Sequence, residues 1–265
     1  LWVRFTDKGF ATPGEEAVAV AGLAATAEPR QVRRRELRRT EPGLFDSRDL
    51  PVHAAYIAAV EATGARVHVQ SRWLNAVSVR ATAEQSAAVA RLPFVAGVEP
   101  VRGGKRLGEA DADGVESRAE ESGGGDEQGA LRGPPPIQGL AFDQLAMSGI
   151  TTLHDLGYTG AGVVVGVLDT GFRRTHAVFN FPGHELQVIA EYDFVNNDGQ
   201  TANQPGDDNN QHNHGTYILS QLGGYNPGVF CGGAYDASFV LAKTEDLVNE
   251  VPAEEDNYVA GIEFV

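Results

Sequence analysis

The 265 residues include one cysteine, Cys231, and one methionine. A single thiol can neither close an internal disulfide nor build a multi-thiolate metal cage. Cys231, flanked by Gly232 and Gly233, reads as a small packed residue, since buried free cysteine behaves as a small hydrophobe. Long apolar runs are missing too: AVAVAGLAATA at residues 17–27 is far short of the ~20 residues that span a bilayer, so no transmembrane helix and no membrane partner are expected. Positive charge is sparse, with 21 Lys and Arg against 36 Asp and Glu. It is sparsest in residues 137–265, where only Arg173, Arg174 and Lys243 face 17 acidic groups. Such a surface repels a phosphate backbone, whose binding depends on Lys and Arg, and nucleic acid is not expected as a partner.

The rest of the composition, 42% apolar and 22% charged, is that of a globular chain of about two domains, at roughly 100–200 residues each. Residues 102–136 hold glycine runs, three consecutive prolines and almost no large apolar side chain. They cannot bury enough surface to offset ordering entropy and are expected to be an exposed linker. Three regions follow: 1–101, the linker 102–136, and 137–265.

In the first region WVRFT (2–6) alternates as a strand, and the arginine-rich QVRRRELRR is most simply a solvated helix. DLPVHAAYIAAVEATG places Val52, Tyr56, Ile57 and Val60 on one helical face, with Pro51 suited to the first turn and Gly64 to the stop. ARVHVQS and WLNAVSV read as strands, ATAEQSAAVARL as a helix with a Thr82/Gln85 capping box, and FVAGVEPV as a last strand. The sum is βαββαβ, a small α+β, ferredoxin-like domain. In the third region Ser148 could cap a short helix that Gly157 stops, and VVVGVLD has the pattern of a strand buried on both faces of a parallel sheet. ELQVIAEYDFV and ASFVLAKT add strands; GTYILSQLGG and EEDNYVAGIEFV have helical spacing, with Tyr258, Ile262 and Val265 on one face. Strand and helix alternate, so this part is expected to be α/β with a parallel sheet.

Asp169 ends the apolar run and precedes Thr170-Gly171, which sets a carboxylate at the carboxyl edge of a parallel strand, where open α/β sheets position reacting groups. Alone it could merely cap a turn. His214, in HNHGT, opens a helix beside Gly215; an imidazole near neutral pKa suits proton transfer, although a lone histidine is ordinarily a surface or core residue. VVVGVLDTGF and HNHGTYILSQLGG together resemble the subtilisin-like serine peptidases, whose catalytic aspartate lies in D-[ST]-G and whose histidine opens a helix as H-G-T. Asp169 and His214 match those positions in the family's order, while Tyr217 stands where a histidine is usual and Ser220 where a glycine is common. The resemblance runs from about residue 139 through YDASFVLAKTED to the terminal GIEFV, and residues 1–101 look like the family's inhibitory propeptide.

The resemblance implies a serine endopeptidase in which Asp169 orients His214 and His214 shuttles the proton of a serine. Its substrate would be a polypeptide, its own propeptide domain a partner in cis, and its location secreted or extracytoplasmic. The family's G-T-S turn is missing, the only G-T being Gly215-Thr216. With no initial methionine and an end inside an expected helix, the chain is expected to be part of a longer product, inactive alone because catalytic groups act as a unit. Cleavage is expected between Val101 and Ile137. No cofactor is certain; calcium is possible, since Asp193, Asn196, Asn197, Asp198, Asp207 and Asp208 form an oxygen-rich loop and family members often bind it, although the EF-hand pattern fails. His212 and His214 have no third ligand nearby for zinc. Two alternatives stay open: a non-catalytic, peptidase-binding inhibitor made of the propeptide and a dead half-domain, and a nucleotide or phosphoacceptor domain using Asp169. The latter lacks G-x-G-x-x-G after its strand.

Overall fold

The computed structural model describes residues 1–38, 43–101, 136–248 and 253–265. The expected linker and its cleavage region lie, apart from its last residue, Pro136, outside them. The described chain forms two compact units, one of residues 1–103 with 251–264, the other of 104–250 with Val265.

In the first unit the elements are β1 (Trp2–Phe5), α1 (Pro13–Thr26), α2 (Pro29–Arg38), α3 (Ala54–Ala62), β2 (Arg66–Ser71), β3 (Ala76–Arg80), α4 (Ala83–Val89) and β4 (Val95–Glu99). The sheet order is β2-β3-β1-β4, all antiparallel, which is the expected ferredoxin-like arrangement with α1 and α2 added between β1 and α3. The Thr82/Gln85 capping box forms in both directions. Helix α3 starts three residues after Pro51, at Ala54, and Gly64 follows it with φ +88°, a conformation that glycine adopts without strain. Trp73, Leu74 and Asn75 do not extend β3 as expected; they form a turn before it, with Asn75 at φ 48°. Val3, Phe5, Val60, Val77, Val79 and Val89 make the core, each fully buried side chain stabilising the unit by roughly 1.5–3 kcal/mol.

The second unit holds α5 (Phe142–Met147), α6 (Ile150–Asp155), β5 (Val164–Asp169), the two-residue strands β6 (Asn180–Phe181) and β7 (His184–Glu185), then β8 (Gln187–Asp193), α7 (Asn213–Gly223), β9 (Tyr225–Asn226), β10 (Phe230–Cys231) and β11 (Ser238–Lys243). Strands β5, β11 and β8 form a sheet in that order, parallel throughout, as expected of an α/β domain. Gly149, at φ +74°, caps α6 in place of Ser148. The run VVVGVLD is not buried on both faces: among the described residues β5 is an edge strand, with Val164 37% exposed, and the central β11 is the buried one, from Phe239 to Lys243. Cys231 is buried, and burial raises its thiol pKa.

The last helix, α8 (Ala253–Phe264), belongs to the first unit. Its expected apolar face, Tyr258, Ile262 and Val265, is exposed; the helix meets the sheet instead through Val259 and Ala260, packed against Trp2, Val69 and Ala76, and through polar side chains. Asn257 pairs with His68 at 3.0 Å, and the Glu263 carboxylate accepts from Ser71 Oγ at 2.5 Å and Arg72 N at 3.1 Å.

Candidate active site

Parallel register sets three charged residues in a row at the carboxyl ends of the sheet, Asp169 on β5, Lys243 on β11 and Asp193 on β8. Asp169 is 6% exposed. Its carboxylate accepts from the backbone N of Thr170 at 2.7 Å and from Thr170 Oγ1 at 3.1 Å. The third donor comes from α7: His214 Nδ1 lies 2.8 Å from Asp169 Oδ1 and 3.1 Å from Oδ2. An ionised carboxylate only accepts, so Nδ1 carries the hydrogen and Nε2 holds the ring's lone pair.

Two glycines allow this approach. A Cβ on Gly215 would sit 2.2 Å from the carbonyl oxygen of Gly171, and one on Gly171 (φ +134°) would sit 2.6 Å from the carbonyl oxygen of Thr201. The start of α7 can therefore press on the end of β5 only where neither position carries a side chain. Thr170 Oγ1 accepts from the N of Gly215 at 3.3 Å. Gln211, 1% exposed, donates to the carbonyls of Thr170 and Glu245 and accepts from the N of Leu247. Gln211 carries no motif that would single it out in the sequence.

The oxygen-rich loop is organised around an ammonium. Lys243, fully buried, places Nζ 2.9 Å from Asp193 and 2.8 Å from Asp207. Asp193 also accepts from the N of Val195, the N of Asn196 and the side chains of Asn196 and Gln204. Burial alone would raise the Asp207 carboxyl, but bonds from Lys243, the Gln204 N and Asn196 outweigh it and hold the pKa below the ordinary range. A calcium ion centred on Asp193 and Asp207 would have to displace the ammonium. As the only lysine in residues 137–265, Lys243 was the sequence signal for this arrangement, and charge counting alone passed it over. His212 is spent on the same loop: its Nδ1 accepts from the N of Asn203 at 3.0 Å and its own N donates to Asn203 Oδ1. Burial, and then the charge of Arg173, keep its imidazole pKa low.

Asp169 and His214 thus form a carboxylate-held imidazole at the carboxyl edge of the parallel sheet. In comparison with protein-family models, the Subtilase family model matches residues 160–260, which contain both side chains. The model described as the Peptidase S8 propeptide domain, Bacteroidota, matches residues 1–113. The two matches follow one another along the chain, a peptidase S8 propeptide domain and then a subtilase domain, as in a subtilase with its propeptide.

Proposed function

We propose that the protein is a serine endopeptidase made as a zymogen. The observation that carries this reading is the two-oxygen contact of Asp169 with His214 Nδ1, made inside the region that matches the subtilase model. Asp169 holds the imidazole in the tautomer whose Nε2 is basic and stabilises the imidazolium that forms. His214 takes the proton of a serine hydroxyl as its oxygen attacks the peptide carbonyl. It then gives that proton to the departing amine as the C–N bond breaks, leaving an acyl-enzyme for water to hydrolyse. Residues 1–101 act as the inhibitory domain in cis until the chain is cut between Val101 and Ile137. The work is done outside the cytoplasm. No helix among the described residues is long and apolar enough to cross a membrane.

Hydrolysis of an unfolded protein substrate by the full-length gene product, before and after removal of the first domain, tests this reading. Activity should rise on removal and vanish in His214→Ala. Activity that persists in that variant would overturn it.

A further inference from the structure

The three basic residues of 137–265 have different surroundings. Lys243 is neutralised by Asp193 and Asp207, and Arg174 pairs with Glu191. Arg173 is exposed, and its guanidinium has no carboxylate partner among the described residues, in a half of the chain with 17 acidic groups. Its backbone is fixed, the N donating to Thr216 Oγ1 at 2.8 Å, two residues past His214. The side chain lines a cavity of about 550 Å³ between the segment after β5 and the exposed face of α7, a size within the ~300–1,000 Å³ range of ligand pockets. Tyr217 forms one wall, Val178 and Phe230 are apolar lining, and no aspartate or glutamate is among the residues that line it. Asn213, also in the lining, is the neighbour of His214.

We infer that this cavity is a substrate subsite for an acidic side chain, an aspartate or glutamate flanking the cleaved bond, and that Arg173 is its specificity-determining residue. The inference rests on the peptidase reading and adds the substrate class. A polypeptide laid across His214 has side chains within reach of the adjoining cavity. Apolar walls take the methylene stem of such a side chain, and the guanidinium takes its carboxylate in a charge-assisted pair. A lone cation in a negative field also draws an acidic peptide to this point while the surrounding surface repels it. The chain's own sequence has this character at 109–127, where eight carboxylates meet one arginine.

The test is kcat/KM of the full-length gene product on peptide pairs that differ by glutamate against glutamine at each position flanking the cleaved bond, in the wild type, Arg173→Gln, Arg173→Lys and His214→Ala. One position should prefer glutamate by about fivefold, as expected of a partly exposed charged pair. The preference should vanish in Arg173→Gln and persist in Arg173→Lys. Hydrolysis that needs His214 but shows no such preference, or one that survives Arg173→Gln, would overturn the subsite and leave the peptidase reading standing. Hydrolysis that His214→Ala leaves intact would overturn both.

Discussion

Lys243 and Asp193 form an ion pair at 2.9 Å with both side chains fully buried. The pair joins the end of the central strand β11 to the start of the loop that leads to His214. Breaking a buried pair from one side leaves an uncompensated charge, at a cost of about 3–5 kcal/mol. Lys243→Met is expected to lower unfolding free energy by that amount in denaturant titrations. The double variant Asp193→Asn/Lys243→Met should recover part of the loss, because it removes one of the two stranded carboxylates, leaving Asp207.

Acid should destabilise the protein below about pH 4. The Asp207 carboxyl is held below its ordinary value of 3.8 against burial by the bond from Lys243, and Asp49 is held low in the same way, with burial opposing and Arg35 at 2.6 Å prevailing. A carboxylate with a depressed folded-state pKa stabilises fully above its unfolded value, and that stability is lost as pH falls through the folded value. Unfolding midpoints across the acid range check this, and Lys243→Met should flatten the part due to Asp207.

Asp256 in α8 shifts the opposite way. Burial raises its carboxyl above the ordinary 3.8, and Oδ1 has no hydrogen-bond partner among the described residues. The ionised form is therefore penalised in the folded state near neutrality. Asp256→Asn should raise the melting temperature at pH 7, and the gain should shrink as pH falls and the wild-type carboxyl takes up a proton.

Gly215→Ala should separate the two halves of the site, because its Cβ would meet the carbonyl oxygen of Gly171 at 2.2 Å. Backbone cannot yield there without moving His214 away from Asp169. Loss of hydrolysis, with a lowered melting temperature, is the expected outcome. Gly22→Ala in α1, where a Cβ would meet nothing within 4 Å, serves as the control and should gain up to about 1 kcal/mol from helix propensity.

The elements that carry the dyad were legible because their signals are local. An apolar β-branched run ending in Asp169-Thr170-Gly171, and a His214-Gly215 step opening a periodic helix, each announce backbone geometry, and β5 and α7 lie there. The Thr82/Gln85 box was readable for the same reason. Helix α1 was harder, since none of its residues is buried and no apolar stripe marks its period. Helix α8 misled because the face it packs on the first unit mixes small apolar Val259 and Ala260 with polar Asn257 and Glu263, while Tyr258 stays exposed. The exposure of β5 and the pairing of Lys243 depend on strand order and on a partner 36 residues away in sequence, which no local pattern encodes.

Labelling of the full-length gene product with a fluorophosphonate probe, which reacts only with a serine activated by a working base, is the most direct measurement of the central claim. The wild type should label, and both Asp169→Ala and His214→Ala should lose the label while remaining folded by circular dichroism. Equal labelling of the wild type and either variant would contradict the assignment of Asp169 and His214 as the acid–base pair of a serine peptidase.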